Sequence, residues 1–417
     1  MSEYFVYYQD AFGDFRTYHS ETKKLKTVTS LPRDTSKFEM LTYGGLKCND
    51  EDLIKYADQF KLWCEELRND KYCNIDYADK YCNFTAVTTN FNRRAAKHYK
   101  HHEPISTTEW RWFEQCYNSG LQFLCEKDIT KKCYSYDFKN QYPRCMNSKT
   151  KIPTKEGKEV TLRRLPSIDK LEAGFYHVKI CSKNDDFRKI FSYSKHNVYV
   201  KESLEQAMKY ADDYDVTIKL VQDDKPNAYL YNAKDMVTLE SVCGEWYSFM
   251  KIQRGKFPKN RLLKHMFSSC WSSINANNVF WKTEEQIKEE KLNIGYGPGY
   301  DYEIMDERFN PDTCVQKFKL LDTKSPYKFN LRLKPWITAL SRNLTAKMAL
   351  RDIDNVVRIQ TDSVSYSVDP EFDDVGFPPE EKTTGKIHFL TVNSYKNLTT
   401  GYKSGFYKEA EEDSDED

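Results

Sequence analysis

Hydrophobic and polar residues follow two kinds of spacing along the chain, and the two alternate without a repeating order. Apolar residues at every second position predict β-strands at residues 4–8, 133–137, 175–180 and 216–221. Helical spacing predicts α-helices at 50–67 and 202–212, an amphipathic helix at 331–349, and mainly helical structure with loops over 72–127. Because strands and helices are mixed without regular βαβ order, the pattern predicts the α+β class.

Two longer stretches combine several elements. Residues 235–273 are predicted to be helical with a break near Gly255 and Pro258. Residues 356–368 are predicted to form a strand, a turn at Asp362 and a second strand. Between them, residues 275–330 make a connector that is too long for an ordinary loop. Its glycine-rich centre, residues 295–299 (GYGPG), lacks the flanking strand and helix of a phosphate-binding loop, so we interpret it as a turn.

Composition narrows the class of protein. Of 417 residues, 39% are hydrophobic and 30% are charged, and the mean hydropathy is −0.80. These values indicate a soluble globular protein of about two or three domains. No run approaches the roughly 18 apolar residues of a membrane span, and the N-terminus lacks the order of a signal peptide. We therefore expect an intracellular protein that has no membrane partner.

The charge is distributed unevenly. The net charge is +1, but seven of the last nine residues are acidic, and without them 64 basic groups face 56 acidic groups. A basic body with an acidic tail is compatible with a polyanionic partner, and solubility alone would explain it equally well. We expect the tail to be a disordered solubilising segment. The alternative is a DNA mimic that occupies a basic cleft.

Cysteine and histidine positions do not indicate a structural metal. The twelve cysteines are scattered, with no C-x-x-C pair and no Cys/His quartet at zinc spacing. Without a secretory signal they indicate reduced thiols in a reducing compartment. His98, His101 and His102 are reminiscent of metal ligands, but the arginines and lysines around them favour a solvated basic helix face.

Two aspartates stand where a predicted strand ends or turns. Asp137 closes an alternating strand, and Asp362 is at the turn of the predicted hairpin. An aspartate at a buried edge is costly unless it is paired or binds a cation, and two on adjacent strands would hold divalent metals. Such metals could bridge a triphosphate and activate a hydroxyl. The alternative is that both are turn-forming residues, which are common at strand ends.

A helix punctuated by basic residues lies between these aspartates. Lys251, Arg254 and Lys264 precede small residues and Trp271. A helix with lysine and arginine along one stripe can bind phosphates while an aromatic ring stacks on a base. The alternative is an ordinary solvated basic face.

Together these segments resemble the motifs of the family B DNA polymerases. Residues 137–143 (DFKNQYP) resemble motif A, D-x-x-S-L-Y-P; residues 264–272 (KHMFSSCWS) resemble motif B, K-x-x-x-N-S-x-Y-G; and residues 360–363 (QTDS) resemble motif C, D-T-D-S. All three occur in family order and at family-like separations. Residues 117–120 (YNSG) resemble the Y-x-G-G element ahead of motif A, and residues 72–76 (YCNID) resemble the third exonuclease motif.

The protein-primed branch of this family, found in some phages, viruses and linear plasmids, is the most similar. Residues 144–230 are of a size to hold its first insertion, and the connector 275–330 lies where its second insertion lies. Residues 336–342 (WITALSR) resemble the helix that precedes motif C in that branch.

The resemblance implies a role for each matching residue. Asp137 and Asp362 would be the catalytic metal ligands, with the carbonyl of Phe138 as a further ligand, for two Mg²⁺ ions that Mn²⁺ could replace. The residues at the incoming nucleotide would be Tyr142 as the steric gate, Trp271 beneath the nascent base pair, and Lys251, Lys264 and Arg254 at the triphosphate. The residues at the DNA would be Tyr117, Gly120, Ser363, Lys386, Lys396 and Lys403.

The resemblance also implies an architecture. The expected fold is a palm of antiparallel sheet and helices with helical fingers, a truncated exonuclease remnant, and a thumb that is reduced or absent. The expected segments are the exonuclease remnant and linker (1–127), the first palm part with motif A and the first insertion (128–234), the fingers with motif B (235–274), the second insertion-like connector (275–330), the second palm part with motif C (331–408) and the disordered acidic tail (409–417).

The chain departs from the family pattern at several positions. Gln360 replaces the first aspartate of motif C, so weakened or altered metal binding is expected. Ser268, Trp271 and Ser272 change motif B, and Ser119 replaces a glycine ahead of motif A. Such changes either reshape the nucleotide pocket or mark a decayed one.

The sequence does not show the family's other exonuclease motifs or a clear thumb motif. No first or second exonuclease motif is found, so Asp76 would be an isolated relic, and Lys403 is the nearest match to the thumb motif K-x-Y. The favoured function is a template-directed DNA polymerase core that adds dNTPs to a primer 3′-hydroxyl without proofreading. The expected partners are primer–template DNA, dNTPs, and a terminal priming protein or a second chain that supplies the missing parts. The alternatives are a degenerate, polymerase-derived nucleic-acid-binding or assembly module and a generic α+β binding protein.

Overall fold

A computed structural model of the chain describes residues 5–9, 15–19, 22–28, 38–40, 50–69, 91, 94–95, 103, 105–116, 118–258, 261–274, 279–297, 299–310, 315–323, 331–370 and 380–404. The α-helices in these ranges are α1 (Asp50–Asn69), α2 (Thr107–Cys116), α3 (Gln141–Met146), α4 (Phe187–Ile190), α5 (Lys201–Lys209), α6 (Leu239–Lys256), α7 (Arg261–Ile274), α8 (Glu284–Glu289) and α9 (Lys334–Ala349). The strands are β1 (Phe5–Gln9), β2 (Phe15–His19), β3 (Leu25–Val28), β4 (Phe38–Met40), β5 (Leu121–Leu124), β6 (Ile129–Asp137), β7 (Lys151–Pro153), β8 (Lys158–Val160), β9 (Gly174–Ser182), β10 (Val198–Val200), β11 (Val216–Leu220), β12 (Ala228–Leu230), β13 (Met236–Thr238), β14 (Val279–Thr283), β15 (Tyr302–Asn310), β16 (Val315–Asp322), β17 (Val356–Thr361), β18 (Ser363–Tyr366), β19 (Glu380–Phe389) and β20 (Tyr395–Asn397). Helices and mostly antiparallel strands are interleaved, which confirms the α+β class.

The largest sheet has six antiparallel strands in the order β20-β19-β6-β18-β17-β5, and we refer to it as the central sheet. One of its faces packs against α9, where Met348 and Ala349 join the same buried cluster as Ile359 and Val364. A second cluster, which includes Val357, covers part of the other face. Burial on both faces explains why β17 is apolar at consecutive positions instead of alternating.

The helix predicted at residues 331–349 is present but is not amphipathic. It begins at Lys334, after a 3-10 turn at Leu331–Leu333, and it is buried on nearly every side. Ser341 and Thr345 are both fully buried. Their spacing in the sequence suggests a solvent-facing side of the helix. In the structure these polar side chains instead form hydrogen bonds inside the protein.

The remaining strands form smaller sheets. These are a four-stranded sheet (β3-β2-β1-β4), a five-stranded sheet (β10-β9-β12-β8, with β11 also paired to β9), a pair (β13-β7) and a three-stranded sheet (β14-β16-β15). The connector 275–330 therefore carries a sheet of its own together with α8. Gly297 and Gly299 in this segment have φ angles of 97° and 102°, conformations that suit glycine and agree with the predicted turn.

Most predicted elements are confirmed to within a few residues, including β1, α1, β9, α5, β11 and the hairpin of β17 and β18. The predicted helical break is also present, because α6 ends at Lys256 and α7 begins at Arg261. The helical prediction for 72–127 is wrong at β5, where Leu121 and Phe123 are buried and Gln122 is exposed. This period of two lets β5 pair with β17 at the edge of the central sheet.

Several predictions concern residues outside the described ranges. Tyr72 and Asp76, the three clustered histidines and the acidic tail all lie there. Among the residues that the structure does describe, no helix is long and apolar enough to cross a membrane. The cysteines described are all free thiols.

Candidate active site

The two predicted metal ligands meet at one end of the central sheet. β6 ends at Asp137, and β18 begins at Ser363, which pairs directly with Asp137. The backbone N–H of Phe138 donates to the carbonyl of Asp362 at 3.1 Å. Since paired antiparallel residues have Cα atoms about 5 Å apart, the Cα atoms of Asp137 and Asp362 lie roughly 6–7 Å apart. The register also places Glu380, the first residue of β19, opposite Asp137 on the other side.

Asp362 is held in a very tight turn. The N–H of Asp362 donates to the carbonyl of Gln360 at 2.7 Å, and the intervening Thr361 has a φ of +58°. A β-branched residue with this left-handed backbone conformation is uncommon, and the conformation costs about 1–3 kcal/mol. The hydroxyl of Thr345, on α9, donates to the carbonyl of Thr361 at 2.7 Å and holds the turn against the helix.

Gly120 packs directly on this turn. A Cβ added at Gly120 would lie 3.0 Å from Cα and 3.1 Å from Cγ2 of Thr361. The segment that carries Gly120 is fixed by Arg342 of α9, which donates to the carbonyls of Asn118 and Ser119 at 3.0 and 3.2 Å. Gly120 was predicted to contact DNA, and in the structure it permits the close approach of β5 to the Asp362 turn.

Replacing Gly120 with alanine is expected to lower the free energy of unfolding by about 1–3 kcal/mol, because the methyl group overpacks a turn that Thr345 holds against α9. Urea unfolding measures the change. The matched control is Gly255→Ala, since a Cβ there meets nothing within 4 Å and alanine is the better residue in a helix. Equal stability of the two variants would show that the contact with Thr361 is not tight.

Helix α3 is anchored behind the carboxylates. Gln141 is 1% exposed, and its Nε2 lies 2.5 Å from the carbonyl of Ser341 and 3.0 Å from the hydroxyls of Ser341 and Thr345. Asn140, just before α3, has a φ of +55°, a conformation that asparagine tolerates better than most residues. The chain therefore turns sharply after Asp137 and places α3 on the helix that also supports the Asp362 turn.

Tyr142 and Trp271, predicted to bind the nucleotide, are in contact. Their rings stack with centroids 4.3 Å apart and an interplanar angle of 13°. Burial raises the pKa of Tyr142 to about 12, and the negative charge of Asp362 contributes to the shift. The stack therefore joins α3 to α7 close to the carboxylates.

The predicted triphosphate-binding residues lie on the two helices that carry motif B and the segment before it. Lys251 on α6 and Lys264 on α7 are exposed, whereas Arg254 is half-buried. Burial lowers the pKa of Arg254. The helix α6 is itself fixed through Lys256, which forms an ion pair with Glu66 of α1 at 2.8 Å.

The lysines predicted at the DNA are not gathered at the carboxylates. Lys386 pairs with Lys132 on β6, five residues from Asp137 and so roughly 16 Å along the strand. The backbones of Lys396 and Lys403 pair in an isolated β-bridge farther out, at the edge of the central sheet. Ser363 is 2% exposed and lies within the strand pairing, not on a surface. Tyr117 lies outside the described residues.

The donor set at the end of the central sheet fits Mg²⁺ or Mn²⁺. Asp137, Asp362 and the carbonyl of Phe138 offer hard oxygen ligands, and Oδ1 of Asp137 is shielded from solvent. No group of three or more His, Cys, Asp or Glu side chains gathers anywhere in the described ranges. A Mg²⁺ site commonly uses one or two carboxylates and takes its other ligands from water and substrate phosphates, so two carboxylates suffice.

Comparison with other proteins identifies the fold. No known family matches the chain, and no curated protein does either. Among solved structures, phi29 DNA polymerase with primer–template DNA and incoming nucleotides matches with a TM-score of 0.53 and 14% identity, over 84% of this chain and 59% of the polymerase. The same polymerase with single-stranded DNA matches with a TM-score of 0.53 and 15% identity, over 82% of this chain and 56% of the polymerase. The chain has a polymerase-like fold. It spans less than two thirds of the polymerase's length.

Within this polymerase-like fold, Gln360 has neutral and cationic partners. Its Oε1 accepts a hydrogen bond from Arg358, and its Nε2 donates to Oδ1 of Asn393 at 2.7 Å. Arg358 is 3% exposed, donates from Nε to the carbonyl of Val392 at 2.7 Å, and lies 4.6 Å from the ring centre of Tyr395. Burial lowers the pKa of Arg358 to about 10. The position that resembles the first aspartate of motif C thus carries an amide that solvates a buried guanidinium.

Gln360→Asp is therefore expected to be more stable than Gln360→Asn by about 1–3 kcal/mol, because a carboxylate makes a charge-assisted hydrogen bond to Arg358. The two variants have the same length and differ only in charge. Urea unfolding measures the difference, and an Arg358→Met background should remove it. Equal stabilities would mean that Arg358 does not reach a side chain of this length.

Sequence reasoning did not single out Gln141, Thr345 or Arg358. Gln141 stands within motif A without any pattern that marks it as buried. Arg358 did leave a signal, because it is the single charged residue in the apolar run of β17. A charge inside a buried strand requires partners nearby.

Proposed function

We propose that this chain is the core of a template-directed DNA polymerase that adds dNTPs to a primer 3′-hydroxyl. The observation that supports it best is the meeting of Asp137 and Asp362 at the end of the central sheet, beside the Tyr142–Trp271 stack, in a polymerase-like fold. Three segments far apart in sequence converge there. A pair of turn-forming aspartates alone would not require the aromatic stack or the anchoring by α9.

The proposed roles follow from the chemistry of each group. Asp137, Asp362 and the carbonyl of Phe138 would hold two Mg²⁺ ions, which stabilise charge that develops on a transferred phosphoryl group when they are bound. The flat Tyr142–Trp271 stack would pack against the sugar and base of the incoming nucleotide. Lys251 and Lys264, being exposed, are available to its triphosphate.

Primer–template DNA is the proposed partner. Phi29 DNA polymerase has been solved with primer–template DNA and incoming nucleotides, and the likeness of fold supports the same substrate class here. From the resemblance of the motifs to those of the protein-primed branch, we also propose a priming protein or a second chain as a further partner.

Primer extension on a short labelled primer–template, with Mg²⁺ and separately with Mn²⁺, tests the proposal. We expect elongation that depends on the template sequence and on a divalent metal. Binding of the same DNA is measured in parallel by fluorescence anisotropy. If the folded protein binds DNA and does not extend the primer with either metal, the polymerase proposal fails.

One observation favours a second candidate, a degenerate DNA-binding module. Gln360 contributes no charge to the metal site and is occupied by Arg358 and Asn393. Under this candidate, DNA affinity persists without extension and does not change when Asp362 is replaced.

Replacing Tyr142 with valine is expected to reduce discrimination against ribonucleotides at least about tenfold, since the ring removed is the proposed barrier to a 2′-hydroxyl. Single-nucleotide incorporation of dNTP and rNTP gives the ratio of kcat/KM values. Tyr142→Phe is the matched control, because it keeps the ring and its stacking on Trp271. Unchanged discrimination in Tyr142→Val would remove Tyr142 from this role.

A further inference from the structure

A cavity lies on a different flank of α9 from the candidate active site. It has a volume of about 920 Å³ and is bounded by α5, by residues 168–173 and by α9. With 3.6 residues per turn, Leu340, Leu344 and Lys347 share the flank of α9 that lines it. Ser341 and Thr345, which bind Gln141, lie on the neighbouring flank. The cavity is therefore separate from the carboxylate site.

The floor of this cavity carries an amide with an unmet donor. Gln206 on α5 is 7% exposed, and its Nε2 is shielded from solvent and has no hydrogen-bond partner. A buried polar group without a partner costs about 1–3 kcal/mol and is rare in native proteins. Such a group in the lining of a large cavity points to a ligand that supplies the missing partner once the side chain turns toward it.

Glu202 lies one helical turn before Gln206 and so on the same face of α5. Its Oε2 likewise makes no hydrogen bond. Burial raises the pKa of Glu202 to about 8, and the nearby indole of Trp336 offsets part of the shift. The floor therefore offers adjacent hydrogen-bonding groups of both kinds, a donor from Gln206 and an acceptor from Glu202.

The mouth of the cavity is rich in lysine. Lys151, Lys170, Lys209 and Lys347 line it and are exposed, and none of the four forms an ion pair with any residue that the structure describes. The fifth lysine, Lys201, pairs with Glu205 at 3.4 Å. Together the five lysines outnumber the four carboxyl groups of the lining. Unpaired ammonium groups around one opening favour a ligand that carries phosphates.

The walls between floor and mouth are apolar. They include Leu171, Tyr231, Leu340 and Leu344, of which Leu171 and Tyr231 are buried. A cavity of this size and lining suits a molecule with a flat apolar body and a few polar groups. A nucleobase between such walls can meet a glutamine amide through neighbouring donor and acceptor atoms, as adenine does through N6 and N7.

We propose that this cavity binds a nucleoside phosphate, with the base on Gln206 and Glu202 and the phosphates on the lysines at the mouth. The base comes either from a free nucleotide or from a residue of a single strand. This site is independent of the proposed polymerase activity, because it shares none of the residues proposed for that reaction.

Binding of ATP to the full chain, measured by calorimetry in EDTA, is the first test. Chelation suppresses metal-dependent binding at the carboxylates, and the cavity variants separate what remains from binding at Lys251 and Lys264. We expect one ATP per chain, and at least about tenfold weaker binding in Gln206→Leu, which keeps the size of the side chain and removes its amide. Inorganic tripolyphosphate should compete far less well than ATP. Equal competition would overturn the proposal, because it would mean that only the lysines bind.

A second variant tests the proposal even if Gln206→Leu, a substitution at a buried residue, fails to fold. The double reversal Lys209→Glu/Lys347→Glu changes exposed side chains only and should also weaken ATP binding about tenfold or more. Lys183→Glu is the matched control, since Lys183 is exposed and outside the cavity. Absence of binding, or binding that is insensitive to Gln206→Leu in a folded protein, would overturn the proposal.

A short oligoadenylate distinguishes the two sources of the base. If the strand binds at least tenfold more tightly than ATP and remains sensitive to Gln206→Leu, the cavity takes a residue of a single strand. If ATP binds as tightly as the strand, the cavity takes a free nucleotide. Either result supports the proposal that the cavity binds a nucleoside phosphate. Primer extension does not enter this test, so its outcome is separate from that of the proposed polymerase function.

Discussion

Asp362→Asn is expected to reduce primer extension at least about a thousandfold while the protein stays folded. Asparagine has the same size as aspartate but removes one of the two charges that would hold the divalent metals. Loss of about 4 kcal/mol of charge stabilisation in the transition state corresponds to this factor. Because Asp137 is directly paired with Ser363, next to Asp362, Asp137→Asn should have an effect of similar size.

The control for this prediction is Asp354→Asn, an exposed aspartate that lies just before the same hairpin. It should retain full extension, and thermal unfolding should show that all three variants are folded. Calorimetric titration with Mn²⁺ adds a second readout, in which the two active-site variants bind the metal more weakly. Wild-type extension by Asp362→Asn would remove the carboxylates from the reaction and with them the polymerase proposal.

Glu109→Gln is expected to lower the free energy of unfolding by about 3–5 kcal/mol, because it leaves the charge of Arg332 buried without its carboxylate. Both residues are fully buried. Nε and Nη2 of Arg332 bind the two carboxylate oxygens at 2.7 and 2.5 Å, and Tyr231 donates to Glu109 at 2.8 Å. The pair links α2 to the 3-10 turn before α9, the helix that supports both halves of the candidate site.

Urea unfolding of matched variants tests this second prediction. Glu284→Gln breaks an exposed ion pair with Lys288 and should cause no measurable change. The double variant Glu109→Leu/Arg332→Met should be less damaging than Glu109→Gln, because no buried charge remains. It should still fall short of wild type, since Arg332 also donates to the carbonyls of Glu103 and Thr154. If Glu109→Gln loses no more stability than Glu284→Gln, the buried pair does not stabilise the fold.

Local pattern was enough to predict most of the elements. The hairpin of β17 and β18, the strand that ends at Asp137 and the break between α6 and α7 were all predicted from spacing and from turn residues. The errors have physical causes. Residues 121–124 were assigned to a helical region because four residues carry little periodicity. The helix α9 was predicted as amphipathic because its polar residues suggest a solvent-facing side, whereas these residues form hydrogen bonds inside the protein.

The candidate site was predictable in its residues and only partly in its arrangement. Motif resemblance selected Asp137, Tyr142, Trp271 and Asp362, and the structure brings these four together. It did not select Gln141, although this residue bonds to α9 from a position about 200 residues away. The lysines predicted at the DNA were chosen by position in sequence, and the register of β19 and β20 places them toward the other end of the central sheet.

The sequence by itself determined the alternation of elements, the α+β class and the identity of the chemical groups at two strand ends, because these depend on neighbours a few residues apart. Only the tertiary structure decided that Gly120 supports the Asp362 turn, that Arg358 binds Gln360, and that Gln206 lines a cavity. Each of these depends on packing between segments that are distant along the chain or on burial by them. A spacing pattern shows which face of an element is buried, but it does not show which distant residue lies against that face.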